Sequence, residues 1–463
     1  MKNLIITITL CLINFMVNAQ VVNIPDANFK AYLVGNSEIN VNNDSEIQIS
    51  EANSFSGTIS ANGEEISDLT GIEKFIALTR LFCRGNSLTA LDVTKNVNLT
   101  FLVCNDNSLT SLDLSQNVNL IELGCSENSL TSLDLTNNVN LTSLGCQINA
   151  LTSLNVTNSF DLWTLDCGSN LLTTLDVSNN VALTRLGCDS NLLTTLDLSN
   201  NSLLQVLECG NNLLSTLGLS SNNDISILRC QNNALESLDV SNLPDLTRLW
   251  CFENMLTSLN VSNNTILDVI ACRNNAITTL DVSNNPVLST FSCQYNSITA
   301  LDLSDNPDLF YIDCSNNSLS TLNVANGNNT DIPGYQFYSV NNPNLECIEV
   351  DDVAYSTTFW TNIDATSSFG TDCSVLGTIK KTSFDYKIDV YPNPTKNNVH
   401  INFKKFGDYS FSVYNISGQE IFQQQQMEVN NTFDFSKYAS GIYILKIREK
   451  SKNTFQNVKI VKM

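Results

Sequence analysis

Histidine is almost missing from this 463-residue chain: His400 is the only one. That argues against His-based catalysis and His-rich metal sites. Basic residues are scarce too, with 23 Lys and Arg against 46 Asp and Glu and a net charge of −23. Phosphate contacts need Lys and Arg, so neither a nucleic-acid partner nor an anionic membrane surface is expected. Proline and glycine are few, at 8 and 18. Asn, Ser and Thr abound, but their polarity is periodic, which argues against disorder. Past the first 19 residues no apolar run is long enough to span a membrane. The run that opens the chain, Leu4 to Met16, is itself short. It follows Lys2 and Asn3 and leads to Val17-Asn18-Ala19, a small-residue cleavage site. Residues 1–19 therefore read as a signal peptide, and export places the rest where disulfides are allowed. No nucleophile with a base, carboxylate pair in an irregular pocket or metal cluster stands out, so no enzyme is expected.

What the chain does have is a period. Cys83, Cys104, Cys125, Cys146, Cys167, Cys188, Cys209, Cys230, Cys251, Cys272, Cys293 and Cys314 follow at a constant step of 21, and an Asn stands three residues after each, from Asn86 to Asn317. A fixed period near that length means a solenoid, whose coils bury their apolar edges against their neighbours. Each coil holds one half-pattern twice, as in Leu78-Thr-Arg-Leu81-Phe-Cys83-Arg-Gly-Asn86 and Leu88-Thr-Ala-Leu91-Asp-Val93-Thr-Lys-Asn96. Apolar residues spaced by three and then two describe a short strand and a turn, with Leu and Cys or Val pointing inward. Two halves predict two short parallel strands per coil and a sheet on each long side. The cysteines are then inward fillers of a core. Redox or metal chemistry would need exposed thiolates or CxxC spacing.

The repeat L-x-x-L-x-C-x-x-N-x-L resembles the conserved segment of leucine-rich repeats, with Cys at an inward leucine position. Twelve copies over residues 78–329 are similar to the nested 21-residue subclass of bacterial surface proteins. The resemblance implies that Asn86 through Asn317 bond backbone groups of the turn and of the next coil.

The ends of the solenoid need caps. Residues 20–77 form the first. Pro25 suits a first helical position, and Phe29, Tyr32 and Leu33 share a helical face. The stretch from Asn40 to Glu51 aligns with the twelve-residue calcium loop of EF-hands. Asn40, Asn42, Asp44, Glu46 and Glu51 are its candidate ligands. Asn replaces Asp at the first position, and Ser45 replaces the turn glycine. A polar turn satisfies the same residues. Residues 330–373 form the second cap, in which Cys347 and Cys373, the cysteines off the ladder after the signal, are expected to pair.

Residues 374–384 read as a linker, and beyond it cysteine vanishes while Phe, Tyr and Lys rise. Alternation in Val399–Phe403, Tyr409–Tyr414 and Gly441–Ile447 predicts a small β-sandwich over residues 385–463. Val390-Tyr391-Pro392-Asn393-Pro394-Thr395, Tyr414-Asn415-Ile416-Ser417-Gly418, Ser440-Gly441-Ile442-Tyr443 and Lys459-Ile460-Val461-Lys462 resemble the sorting domain of the type IX secretion system of Bacteroidetes. The resemblance implies contact with that machinery, passage across the outer membrane, and release or attachment at the surface.

Two outward rows remain. Asp92, Asp113, Asp134, Asp176, Asp197, Asp239, Asp281 and Asp302 share one position. This row is either a solvated ladder bonded to the Ser or Thr two residues on, or a cation-binding stripe. The row beside the cysteines varies and includes Phe101, Arg185, Arg229, Arg248, Trp250, Phe252, Arg273, Tyr295 and Tyr311. Aromatics beside Arg are the composition of recognition surfaces. They predict a site for an extracellular protein or glycan between the eighth and twelfth coils. The alternative is a structural spacer or adhesin stalk.

Overall fold

A computed structural model of the chain describes residues 20–373, 388–402, 409–415, 419–424, 430–449 and 454–463. The expected signal peptide and linker lie outside these residues. The chain divides into two compact units, Met1–Asp372 and Cys373–Met463.

In the first unit each Cys half-repeat is a three-residue strand, from Arg80–Phe82 to Tyr311–Asp313. Neighbouring strands pair in parallel one repeat apart, as Leu81 with Leu102. They form one 14-stranded sheet. The ladder continues past the strands, with the Cys83 amide on the Val103 carbonyl at 2.8 Å. A typical coil buries Leu183, Leu186, Cys188, Leu193, Leu196 and Leu198, each at 8 % exposure or less. Each large apolar side chain stabilises by about 1.5–3 kcal/mol against a mostly exposed reference. All twelve ladder cysteines are free and buried.

The sheet extends beyond the cysteine period at both ends. Its first strand is Thr58–Ser60 and its last is Phe337–Tyr338. The pairings Ile59 with Leu81 and Phe337 with Ile312 put Ala61 and Ser339 where the other coils have Cys. Both are fully buried. Coil lengths other than 21 and a different inward residue hide these coils from the pattern.

The second half-repeat differs from expectation. Among the described residues it forms strands only at the far end: Ala300–Asp302, Thr321–Asn323, Cys347–Glu349 and Ser368–Gly370. Elsewhere it is extended without a ladder. The Asp carboxylate takes the amide two residues on, as Asp92 Oδ1 takes Thr94 N at 2.9 Å, and it does so in the strand-forming half-repeats as well, as Asp302 Oδ1 takes Ser304 N at 3.1 Å.

Asparagine closes the turns. Asn212 Nδ2 donates to the carbonyls of Cys209 in its own coil and Cys188 in the preceding one, at 3.2 and 3.0 Å. Its Oδ1 accepts the Leu193 amide at 3.0 Å. The inter-coil bond thus runs to the preceding coil rather than the next. This clamp holds the intervening residue in the left-handed region, where Gly85 sits in the first coil and even Ile148 in the fourth, at φ 55°. A β-branched residue there is strained. A second, fully buried row includes Asn96, Asn117, Asn180 and Asn201. Asn201 donates to Val177 and Asn180 of the preceding coil at 3.0 and 2.9 Å.

The N-terminal cap begins with α1 (Ala27–Gly35), N-capped by Asp26, whose Oδ1 accepts the amides of Asn28 and Phe29. Pro25 therefore precedes the cap residue instead of opening the helix. Phe29 and Leu33 are buried. A second helix, α2 (Ile49–Ser54), follows the polar loop. At the other end α3 (Val353–Phe359) leads to Trp360, buried against Phe337 with ring centroids 4.1 Å apart. Trp360 Nε1 donates to the Ile332 carbonyl at 3.0 Å. Cys347 and Cys373 are disulfide-bonded.

The second unit carries two antiparallel sheets, of three and four strands. They share a core that includes Val399, Ile401, Phe411, Val413, Phe433 and Leu445. The first and last motifs meet: Asn393 donates to the Lys459 carbonyl and accepts the Val461 amide at 2.8 Å. Part of the Tyr414–Gly418 motif lies outside the described residues.

Candidate functional site

Between Lys95 and Cys373 the basic residues are Arg185, Arg229, Arg248 and Arg273. All four lie on or beside strands of the Cys-side sheet, because a three-residue strand turns the neighbours of its central Leu outward. Arg185, Arg229 and Arg248 are strand residues, and Arg273 follows Cys272. The side chains form a connected row. Glu208 pairs with Arg185 through one oxygen and with Arg229 through the other, the latter at 2.8 Å. Arg229 in turn lies 4.6 Å over the Trp250 ring. One coil position further along, Arg273 lies 3.9 Å over Phe252 and pairs with Glu253 at 3.0 Å. Such cation–π contacts contribute about 0.5–1 kcal/mol each at exposed sites. Here they chiefly fix the side chains in place. Arg248 is exposed and has no ion pair among the described residues. The same device occurs near the start, where Arg80 lies 4.8 Å over Phe101.

Tyr311 stands on the strand three steps beyond Trp250, its ring centroid 6.2 Å from that of Tyr338. Burial, followed by the neighbouring Asp313 charge, pushes its hydroxyl pKa up. Burial also raises the carboxyl pKa of Asp313. Tyr295 departs from the others. It occupies the left-handed turn position at φ 57° and sits at the rim, not on the strand face. Glu208, Asp313 and Tyr338 are additions that composition alone does not show. A step of 21 from Arg229 back to Glu208 is the signal that finds the first.

The Asp row lies on the other side of the coil. Hydrogen bonds from the hydroxyl and then the amide two residues on hold the Asp92, Asp134, Asp176 and Asp239 carboxyls below their ordinary pKa. The amide and then the hydroxyl do the same for Asp113, Asp197 and Asp281. These bonds spread the negative charge that stacking would otherwise concentrate.

In the loop from Asn40 to Glu51 the candidate ligands accept N–H donors. Asp44 accepts from the Glu46 amide, Asn42 Nδ2 and Gln48 Nε2 at 2.7, 2.9 and 2.9 Å. Glu51 accepts the amides of Asn42 and Gln48 at 3.1 and 2.9 Å. Glu46 pairs with Lys30 at 2.7 Å. Asn40 is 2 % exposed and donates to the Val34 and Asp44 carbonyls. Among the described residues no cluster of three or more His, Cys, Asp or Glu is placed to hold a metal ion.

Comparison with known proteins adds to this picture. Residues 389–462 match the family model of the secretion system C-terminal sorting domain. The structure is similar to the functional domain of InlJ from Listeria monocytogenes, which includes a cysteine ladder. The two are 25 % identical with a TM-score of 0.56, covering 96 % of this chain and 98 % of that one. It shares its fold with the internalin InlF of Listeria monocytogenes, at 19 % identity and a TM-score of 0.55, covering 75 % of this chain and 96 % of that one. No curated protein sequence matches the chain. No helix among the described residues is long and apolar enough to cross a membrane. The chain joins a leucine-rich-repeat solenoid to a type IX secretion sorting domain, the mark of a protein secreted or held at the outer cell surface.

Proposed function

We propose that the solenoid is a recognition module, and that its Cys-side face from Arg229 to Tyr311 binds an extracellular protein or glycan. The observation that carries this reading is the gathering of Arg229, Arg248 and Arg273 beside Trp250 and Phe252 on one face of an otherwise acidic rod. Fixed aromatic and Arg side chains are the anchors of binding surfaces, since little freedom is left to lose. The sorting domain brings the chain to the secretion machinery and so delivers this face outside the cell. Binding rather than catalysis is its task.

The test is an array of extracellular proteins and glycans probed with the chain and with a variant carrying Arg248→Ser, Trp250→Ser and Phe252→Ser. The expected result is capture by the parent that the variant loses while its melting temperature holds. Equal capture by both removes the face from consideration and leaves the spacer reading.

A further inference from the structure

We propose that the depression between Trp250 and Asp313 is a sugar-ring site, in which a pyranose stacks on the open face of Trp250 and its hydroxyls bond Gln294 and Asp313. The proposal rests on the reading of this face as a recognition surface and names the ligand class.

The register defines the depression. Trp250 pairs with Arg229 on one side and Ala271 on the other. Arg229 covers one ring face at 4.6 Å and is itself held by Glu208. On the side away from Arg229 the register runs from Trp250 to Ala271, then to Ser292 and Asp313. Ala271 and Ser292 are small and only 9 % and 8 % exposed, a floor between taller neighbours. Three strand spacings separate Trp250 from Asp313, about 14 Å, which suits one or two sugar rings. Tyr311 and Tyr338 close the far end.

The chemistry of the rim selects among ligands. Ser292 Oγ donates to Gln294 Oε1 at 2.6 Å, which leaves the Gln294 amide hydrogens without a partner among the described residues. Asp313 Oδ1 accepts the Ser315 amide at 3.1 Å, and its partly exposed carboxylate keeps acceptor capacity for a further donor. A neutral donor and a carboxylate acceptor beside an aromatic plane match a ring with one apolar C–H face and equatorial hydroxyls. A peptide strand is the poorer occupant. The backbone of these interior strands is already paired on both sides, so no edge is open for strand addition.

The experiment is saturation-transfer NMR on the full chain with maltose, cellobiose, lactose, mannobiose and chitobiose. Ala271→Phe fills the floor while keeping Trp250. The same position holds Phe82 and Trp250 in other coils, so the variant is expected to fold. Transfer to the C–H face of at least one disaccharide is expected, with binding at least about tenfold weaker in Ala271→Phe, the scale of one lost stacking contact. Ala271→Ser is expected to bind like the parent. Absence of transfer from all five sugars overturns the proposal, as does equal binding by Ala271→Phe. If the array yields a protein that the triple variant loses, while no sugar binds, the face reading stands and the sugar reading falls. If the triple variant keeps every array partner, both fall.

Discussion

Burial drives the thiol pKa of Cys104, Cys230 and Cys272 up to about 12, and the other nine rungs also shift upward. A thiolate is the reactive form, so the ladder is inert in the folded chain. Native protein treated with a thiol reagent at pH 8 is expected to label none of the twelve, and denatured protein all of them. Rapid labelling without denaturant would mean that the rungs are accessible. The asparagines next to them are less replaceable. Asn212→Ala strands the buried Leu193 amide, while the carbonyls of Cys188 and Cys209 each lose one of two donors and keep Asn191 and Asn233. The expected loss is about 2 kcal/mol, since one buried unpaired group costs roughly 1–3 kcal/mol. It is read as the midpoint shift of urea unfolding, and a change under about 0.5 kcal/mol, the scale of an ordinary surface substitution, contradicts the clamp.

At the scale of elements, the cap loop shows how one pattern serves two chemistries. Residues with oxygen at calcium-loop spacing also build a turn that closes on its own amides, and here Asp44 and Glu51 accept five N–H donors between them. Calcium binding would require some of these bonds to be exchanged for the ion. We expect Asp44→Ala to lower the melting temperature by the same amount with and without millimolar calcium. A calcium-dependent rise in the parent that the variant lacks would establish the ion site instead. Repeating elements were legible because Leu, Cys and Asn recur without a gap. Three elements flanking the repeats were not. The strands at Thr58–Ser60 and Phe337–Tyr338 lead into Ala61 and Ser339 in place of Cys, and α3 lies in a polar and aromatic stretch without the repeat's period. The Asp half looks like the Cys half in sequence, yet among the described residues it pairs into a sheet only at the far end. The candidate face was legible in composition. The pairing of Glu208 with two arginines, and the small floor beside Trp250, depend on which strands are neighbours.

For the whole molecule, the solenoid separates what is constant from what varies. Inward rows repeat Leu, Cys and Asn, and the Asp side repeats an acid held by its own Ser or Thr. Variation gathers on the outward Cys-side positions, where a rod of net negative charge keeps its few arginines. The sorting domain accounts for export and the solenoid for what is displayed. The measurement that tests this division most directly compares the two faces in one binding assay. The chain, the Arg248→Ser, Trp250→Ser, Phe252→Ser variant and a variant with Asp239→Ser, Asp281→Ser and Asp302→Ser are titrated against the same captured partner. The account predicts loss of binding in the first variant and retention in the second, with both folded by circular dichroism. Retention in the first with loss in the second would place recognition on the Asp side and contradict it.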